Sequence, residues 1–167
     1  FQKFAEKYGI PFGETQAGKG TITWEHELNM GGVGETGGLA ANTLAKDADV
    51  VIGVGTRYTD FTTSSKWIFQ NPNVQYVNIN VSRFHAYKLD GIQVVGDAGA
   101  ALEMLDVALG KTGYHVSDAY AAVIKAAKEA YTKEVERVFH IQFGDNVVPE
   151  VNDAFDYMAA EQAYKEA

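Results

Sequence analysis

The sequence has no cysteine, which excludes a disulfide framework, a thiolate nucleophile and any cysteine-ligated zinc or iron–sulfur centre. Positive charge is scarce as well: 14 Lys and Arg stand against 22 Asp and Glu, for a formal charge of -8. Nucleic acid and anionic membrane both require a cationic surface, so neither is expected as a partner. No apolar run approaches the roughly 18 residues of a bilayer span. The opening FQKFAEKYG lacks the blocks of a secretory signal. Together these absences lead to the expectation of a cytoplasmic protein.

What is present is enough apolar material for a real core, 46% of 167 residues, in a length that suits one domain plus a tail. Phe1, Phe4, Ala5 and Tyr8 recur at helical spacing until Gly9 stops the pattern. No start signal precedes that helix, so upstream sequence is expected to be missing. Ile10–Gly13, entered through Pro11, suits an edge strand. After a glycine-rich loop, a helix beginning near Thr36 and ending near Asp47 should bury Leu39, Ala40, Thr43 and Leu44. Val50–Val54 is an uninterrupted β-branched run, as expected of a parallel strand buried on both faces. Val74–Ile79 and Ile92–Val95 read as further strands, and a helix follows over 97–109 with Leu102, Leu105 and Leu109 aligned.

Strands alternating with helices of this length imply an α/β fold, a Rossmann-like doubly wound parallel sheet with right-handed crossovers, over residues 1–110. From 111 to 167 the strands disappear and a helical extension is expected. Ser117 caps a long helix to about residue 139 with the stripe Tyr120, Val123, Ile124, Ala127, Tyr131, Val135 and Val138. Gly144–Asp153 reads as a linker around Pro149, and Ala154–Lys165 as a last short helix.

Two glycine turns are candidates for holding an anion. Gly32-Val33-Gly34-Glu35-Thr36-Gly37 spells G-x-G-x-x-G, but that motif needs a preceding strand and His26–Met30 does not read as one. The alternative is a turn feeding a helix that packs closely. Gly53-Val54-Gly55-Thr56-Arg57 leaves a buried strand at its carboxyl end, where ligands of open α/β sheets bind, with Arg57 beside the turn amides. Against this stands a plain ion pair of Arg57 with Asp60. His26, His85, His115 and His140 are scattered without metal-ligand spacing, and Ser64 and Ser65 lack a nucleophile-elbow context. Glu129, Glu134 and Glu136 read as a solvated helix face. No catalytic residue and no metal ligand is assigned.

The ordered series Ile10-Pro11-Phe12, Gly18-Lys19-Gly20, His26, Gly34-Glu35-Thr36-Gly37, Ala41-Asn42, Ala48-Asp49-Val50, Gly55-Thr56-Arg57-Tyr58-Thr59-Asp60, Val77-Asn78-Ile79-Asn80 and Gly96-Asp97-Ala98 resembles the central domain of thiamine-diphosphate enzymes of the acetohydroxyacid synthase superfamily. The resemblance covers about residues 1–109. It is nearest to the branch that opens a cyclic 1,2-dione of inositol breakdown by carbon–carbon hydrolysis. It implies a parent with two flanking domains, one binding the cofactor's pyrimidine and one its diphosphate through magnesium, and a homo-oligomeric assembly. It also implies that a first strand and glycine turn lie before Phe1, leaving a sheet edge that the long helix would cover. The diphosphate domain's Gly-Asp-Gly is absent, since Gly96-Asp97 is followed by Ala98 and Gly144-Asp145 by Asn146. The chain alone is therefore expected to be inert and to hold neither thiamine diphosphate nor magnesium. The loop Thr15–Thr21 is the segment expected at the active-site mouth. In flavin-containing relatives this NAD/FAD-binding type of fold holds FAD through positions matching Gly34, Thr36, Gly55, Arg57 and Asp97. Here Asn78 and Asn80 stand where relatives carry a ribose-binding Asp, so FAD is not expected. The other reading left open is an autonomous module for ADP, NAD or FAD.

Overall fold

The aromatic repeat at the start forms helix α1, Gln2–Tyr8, which ends at Gly9. It buries Ala5 and Tyr8, and the Tyr8 hydroxyl donates to Asp106 Oδ1 at 2.7 Å. Lys7 reaches the same oxygen at 2.7 Å, holding that carboxyl below the usual carboxylate range. This computed structural model describes residues 1–139, so the expected linker Gly144–Asp153, the helix Ala154–Lys165 and His140 lie outside the described residues.

Among the described residues, five strands make two parallel sheets. β1, Phe12–Glu14, pairs with β2, Asn29–Gly32, with a register shift between Phe12 and Glu14. The second sheet has the order β3, Val50–Val54; β4, Gln75–Asn80; β5, Ile92–Val95. Val50 lies opposite Gln75 and Val54 opposite Ile79, while Val77 lies opposite Ile92 and Asn80 opposite Val95. Helix α2, Leu39–Asp47, follows β2; the short helices α3, Asp60–Thr63, and α4, Arg83–Ala86, follow β3 and β4. A 3-10 turn, Lys88–Asp90, leads into β5, and α5, Ala98–Gly110, leaves it. The fold is α/β, with all pairings parallel and a helix between β2 and β3, β3 and β4, and β4 and β5.

The last described helix, α6, spans Asp118–Phe139, with Ser117 Oγ accepting the Tyr120 amide at 3.2 Å as the expected cap. The chain divides into two units, Phe1–Lys128 and one starting at Glu129. In the described part of the second, Arg137 pairs with Glu134 at 2.6 Å. In the first, Ile124 and Val116 are buried.

Three expectations are corrected. β2 exists where no strand was expected, because its residues, Asn-Met-Gly-Gly, carry almost no β-propensity and owe their extension to pairing with β1. β3 is an outer strand of its three-stranded sheet, and Val50 is 52% exposed, so the strand is not buried on both faces. In α2 the buried residues are Ala40 and Ala41, while Leu39 is half exposed; small side chains let this helix lie close to β2 and the glycine turn. The α5 face is as expected, with Leu102 buried. No helix among the described residues is long and apolar enough to cross a membrane.

Candidate functional site

Parallel strands deliver their carboxyl ends to one edge. The Gly55 amide donates to Ile79 O at 2.8 Å and the Gly96 amide to Asn80 O at 3.1 Å, so the loops after β3, β4 and β5 leave from that common edge. It is the place where open α/β sheets bind ligands.

The G-x-G-x-x-G turn is preceded by β2 after all, and it reaches the same neighbourhood through α3: the Glu35 amide donates to Phe61 O at 2.8 Å. The amides of Gly34, Gly37 and Gly38 are directed into the chain. Gly34 N donates to Asn42 Oδ1 at 3.0 Å and Asn42 Nδ2 returns a bond to Gly34 O at 2.9 Å. Gly37 N donates to Gly34 O at 3.0 Å and Gly38 N to Gly32 O at 2.8 Å. Gly34 has φ 112, and a Cβ there would lie 2.0 Å from Phe61 O. Its glycine is thus demanded by close approach of α3. These donors, which a phosphate would need, already have acceptors. Thr36 is exposed at the rim of the turn.

At the end of β3 the chain folds back on itself. Tyr58, with φ 45, lays its ring against the sheet so that a Cβ on Gly53 would fall 2.1 Å from the Tyr58 hydroxyl oxygen. Gly53 is small to admit this ring. The hydroxyl is buried without a hydrogen-bond partner among the described residues, and burial, with Tyr76 beside it, pushes its pKa upward. Arg57 is exposed and has no hydrogen-bond or ion-pair partner among the described residues. The ion pair expected with Asp60 is therefore not formed: Asp60 opens α3, whose first turn is capped by Thr59 Oγ1 accepting the Thr62 amide. Arg57 projects from a loop whose neighbours, Thr56 and Tyr58, are fixed by hydrogen bonding and burial.

The two asparagines on β4 are structural. Asn78 is 2% exposed, and its Nδ2 donates to Ala86 O at 3.1 Å and Lys88 O at 2.6 Å, fastening α4 and the 3-10 turn to the sheet. Asn80 Nδ2 donates to Thr56 O at 3.0 Å while its Oδ1 accepts the Ser82 amide at 2.9 Å. An aspartate lacks the donor that Ala86 O, Lys88 O and Thr56 O require. Asp97 caps α5, accepting the Ala100 amide at 3.0 Å. Gly34 and Thr36 are thus joined to the Gly55–Arg57 loop through α3, and Asp97 lies at the same edge on the far strand.

Elsewhere the candidates disperse. His26 Nε2 meets Glu6 Oε1 at 2.9 Å, and His115 Nδ1 meets Val116 O at 2.9 Å. Among the described residues no three His, Asp or Glu are grouped to hold a metal. Ser64 lines an open cleft with Asn42, Lys46, Trp67, Ile68 and Gln70, with no histidine or carboxylate among those residues. The loop Thr15–Thr21 is tied back by Glu14, whose carboxylate accepts the amides of Gly20 at 3.4 Å and Ile22 at 3.3 Å. Sequence reasoning missed Asn42 and Tyr58. The first was legible as a polar residue one turn into a helix behind a glycine turn; the second had no signal, because its role depends on a reversal of the chain.

Residues 1–105 match the family described as thiamine pyrophosphate enzyme, central domain. The chain belongs to this family. As a thiamine pyrophosphate enzyme central domain it is similar to curated proteins of greater length. It is 53% identical over 167 residues to the 3D-(3,5/4)-trihydroxycyclohexane-1,2-dione hydrolase of Geobacillus thermodenitrificans (strain NG80-2), covering 100% of this chain and 25% of that protein. To the protein of the same name from Clostridium tetani (strain Massachusetts / E88) it is 49% identical over 166 residues, covering 99% and 25%. With the protein of that name from Bacillus thuringiensis (strain Al Hakam) it shares 52% over 156 residues, covering 93% and 24%. The central domain thus spans about a quarter of the length of the curated relatives it matches.

Proposed function

We propose that this chain is the central domain of a cytoplasmic, thiamine-diphosphate-dependent enzyme that opens a cyclic 1,2-dione of inositol breakdown by hydrolysis of the bond between its carbonyl carbons, and that the chain alone is inert. The observation that carries this reading is the 53% identity sustained over all 167 residues, well past residue 105 where the family match ends. A likeness confined to the shared domain would name only the superfamily. This one includes the helical extension, which we read as residues 111–167, the connector toward the diphosphate-binding domain.

The strand orders support a central domain that lacks one strand. A doubly wound nucleotide-binding sheet has the order 3-2-1-4-5-6. With strand 1 removed, 3-2 and 4-5-6 remain, which is the pattern of β2-β1 and β3-β4-β5. The described residues do not fit thiamine diphosphate or magnesium: the amides of Gly34, Glu35, Gly37 and Gly55 have internal acceptors, Asp97 is an N-cap, and no acidic cluster accompanies it. In the parent, the cofactor and its magnesium belong to the flanking pyrimidine- and diphosphate-binding domains, and this domain braces them in a homo-oligomer. FAD does not fit either, since Asn78 and Asn80 spend their amides on the fold. Gly34, Thr36, Gly55, Arg57 and Asp97 are then the remnant of a flavin-type pocket.

The test is made on the full-length parent supplied with thiamine diphosphate and magnesium. Incubation with 3D-(3,5/4)-trihydroxycyclohexane-1,2-dione should give an open-chain product heavier by one water, and this chain alone should give none. Condensation of two pyruvates to acetolactate, with the dione untouched, would favour an acetolactate-synthase-like parent. A saturable rise in this chain's melting temperature with ADP, NAD or FAD, lost in Arg57→Ala, would favour an autonomous nucleotide module.

A further inference from the structure

The loop between β1 and β2, residues 15–28, has no regular structure of its own, and loops of this length inside a compact unit are commonly functional. Its second half is nevertheless held tightly. Asn29 Nδ2 donates to Ile22 O at 3.2 Å and Thr23 O at 3.3 Å, the His26 amide donates to Thr23 O at 3.2 Å, and the Leu28 amide donates to His26 Nδ1 at 3.1 Å. This folds Ile22–Asn29 into a bowl, and three carbonyls converge on one point outside it. Lys128 occupies that point: its Nζ donates to Trp24 O at 2.6 Å, Asn29 O at 2.5 Å and His26 O at 3.4 Å, and lies 5.8 Å from the centre of the Trp24 ring.

An ammonium has three donors and no acceptor, so it suits three converging carbonyls, and the indole face adds attraction for the cation. Lys128 comes from α6, about a hundred residues further along the chain than the loop. The clamp reaches both ends of the loop. Asn29 begins β2 and orders Ile22, while Ile22 N and Gly20 N are held by Glu14 at the end of β1. The Thr15–Thr21 tip is thus tethered at Gly20, Ile22 and Asn29, and the last tether is fixed by Lys128.

We propose that Lys128 is a positioning residue for this loop: its ammonium sets the conformation of Trp24–Asn29 and thereby that of the Thr15–Thr21 tip. Resting on the proposed function, the tip at the active-site mouth governs entry of the dione, so Lys128 acts on substrate capture from α6 without touching substrate.

Two measurements test this separately. Hydrogen exchange on this chain should show the amides of residues 18–29 losing protection at least tenfold in Lys128→Ala, with those of β4 unchanged. Millimolar propylammonium, which restores an ammonium to the carbonyl cradle, should recover much of that protection, whereas sodium at equal ionic strength should not. Unchanged exchange, or rescue by sodium as well, would overturn the clamp. In the full-length parent, Lys128→Met should raise KM for the dione fivefold or more and leave kcat within twofold. A lower kcat with KM unchanged, or no kinetic change despite a loosened loop, would overturn the positioning role. A wild-type parent that leaves the dione untouched would instead sink the proposed function, and the exchange experiment would still judge the clamp.

Discussion

Asn78→Asp is the change that most directly probes whether Asn78 serves the fold as a double donor. Asn78 is 2% exposed and donates both amide hydrogens, to Ala86 O at 3.1 Å and Lys88 O at 2.6 Å. An ionised aspartate would set a carboxylate against two carbonyl oxygens at those distances, with no donor between them. Losing two hydrogen bonds costs about 2 kcal/mol. Forcing a buried charge against carbonyl dipoles brings the total to about 3–5 kcal/mol at neutral pH. The variant relieves part of this by holding its proton, so its folded-state pKa lies above the unfolded value of about 3.9. Between those two values the folded state binds the extra proton, and stability therefore falls as pH rises through the window. Below it the protonated acid can donate to one carbonyl, and the deficit shrinks to about 1–2 kcal/mol. Urea denaturation of both proteins should then show a midpoint about 2 M lower for the variant near pH 7.5, with an m-value near 2 kcal/mol/M, and a much smaller gap near pH 4.5. A deficit under about 1 kcal/mol at pH 7.5, or one independent of pH, would refute the account of Asn78 as a donor to two buried carbonyls.

Two other substitutions follow from the same edge. Gly34→Ala must place a methyl group 2.0 Å from Phe61 O at φ 112 and should destabilise by about 3 kcal/mol or more in chemical denaturation, a loss under about 1 kcal/mol meaning that α3 does not press on the turn. Tyr58→Phe removes a buried hydroxyl that has no partner among the described residues and should leave stability unchanged or raise it by up to about 1 kcal/mol, so a clear drop in melting temperature would reveal a bond to that hydroxyl.

What was legible in the sequence is what one strand or helix decides by itself. Val50–Val54 and Ile92–Val95 are strands with the bounds their β-branched runs imply, and Asp97 caps α5 as an acidic residue before an apolar helix should. What was not legible depends on a neighbour. Nothing in Asn29-Met30-Gly31-Gly32 favours extension until β1 lies beside it, and nothing in Val50 marks it as half exposed until the order of strands is known. The long helix was legible, but not that Lys128 on it would meet three carbonyls of a loop a hundred residues earlier.

The candidate site shows the same division, with a consequence for function. The glycines at 34, 53 and 55 spell a phosphate cradle because glycine is what a ligand's approach requires, yet glycine is also what the chain's own approach requires. Spelling cannot separate the two; acceptors can. The Gly34 amide ends on Asn42, the Glu35 amide on Phe61 O, and the space over Gly53 on the Tyr58 ring, so at Gly34 and Gly53 the spelling is satisfied from within, while Gly55 meets its need through φ 68 with open space over it. Arg57 is the exception, a guanidinium at the carboxyl edge with no partner among the described residues. The chain spans about a quarter of its relatives' length, and in the parent proposed above Arg57 would pair with a carboxylate of a flanking domain, a bracing role that needs no nucleotide.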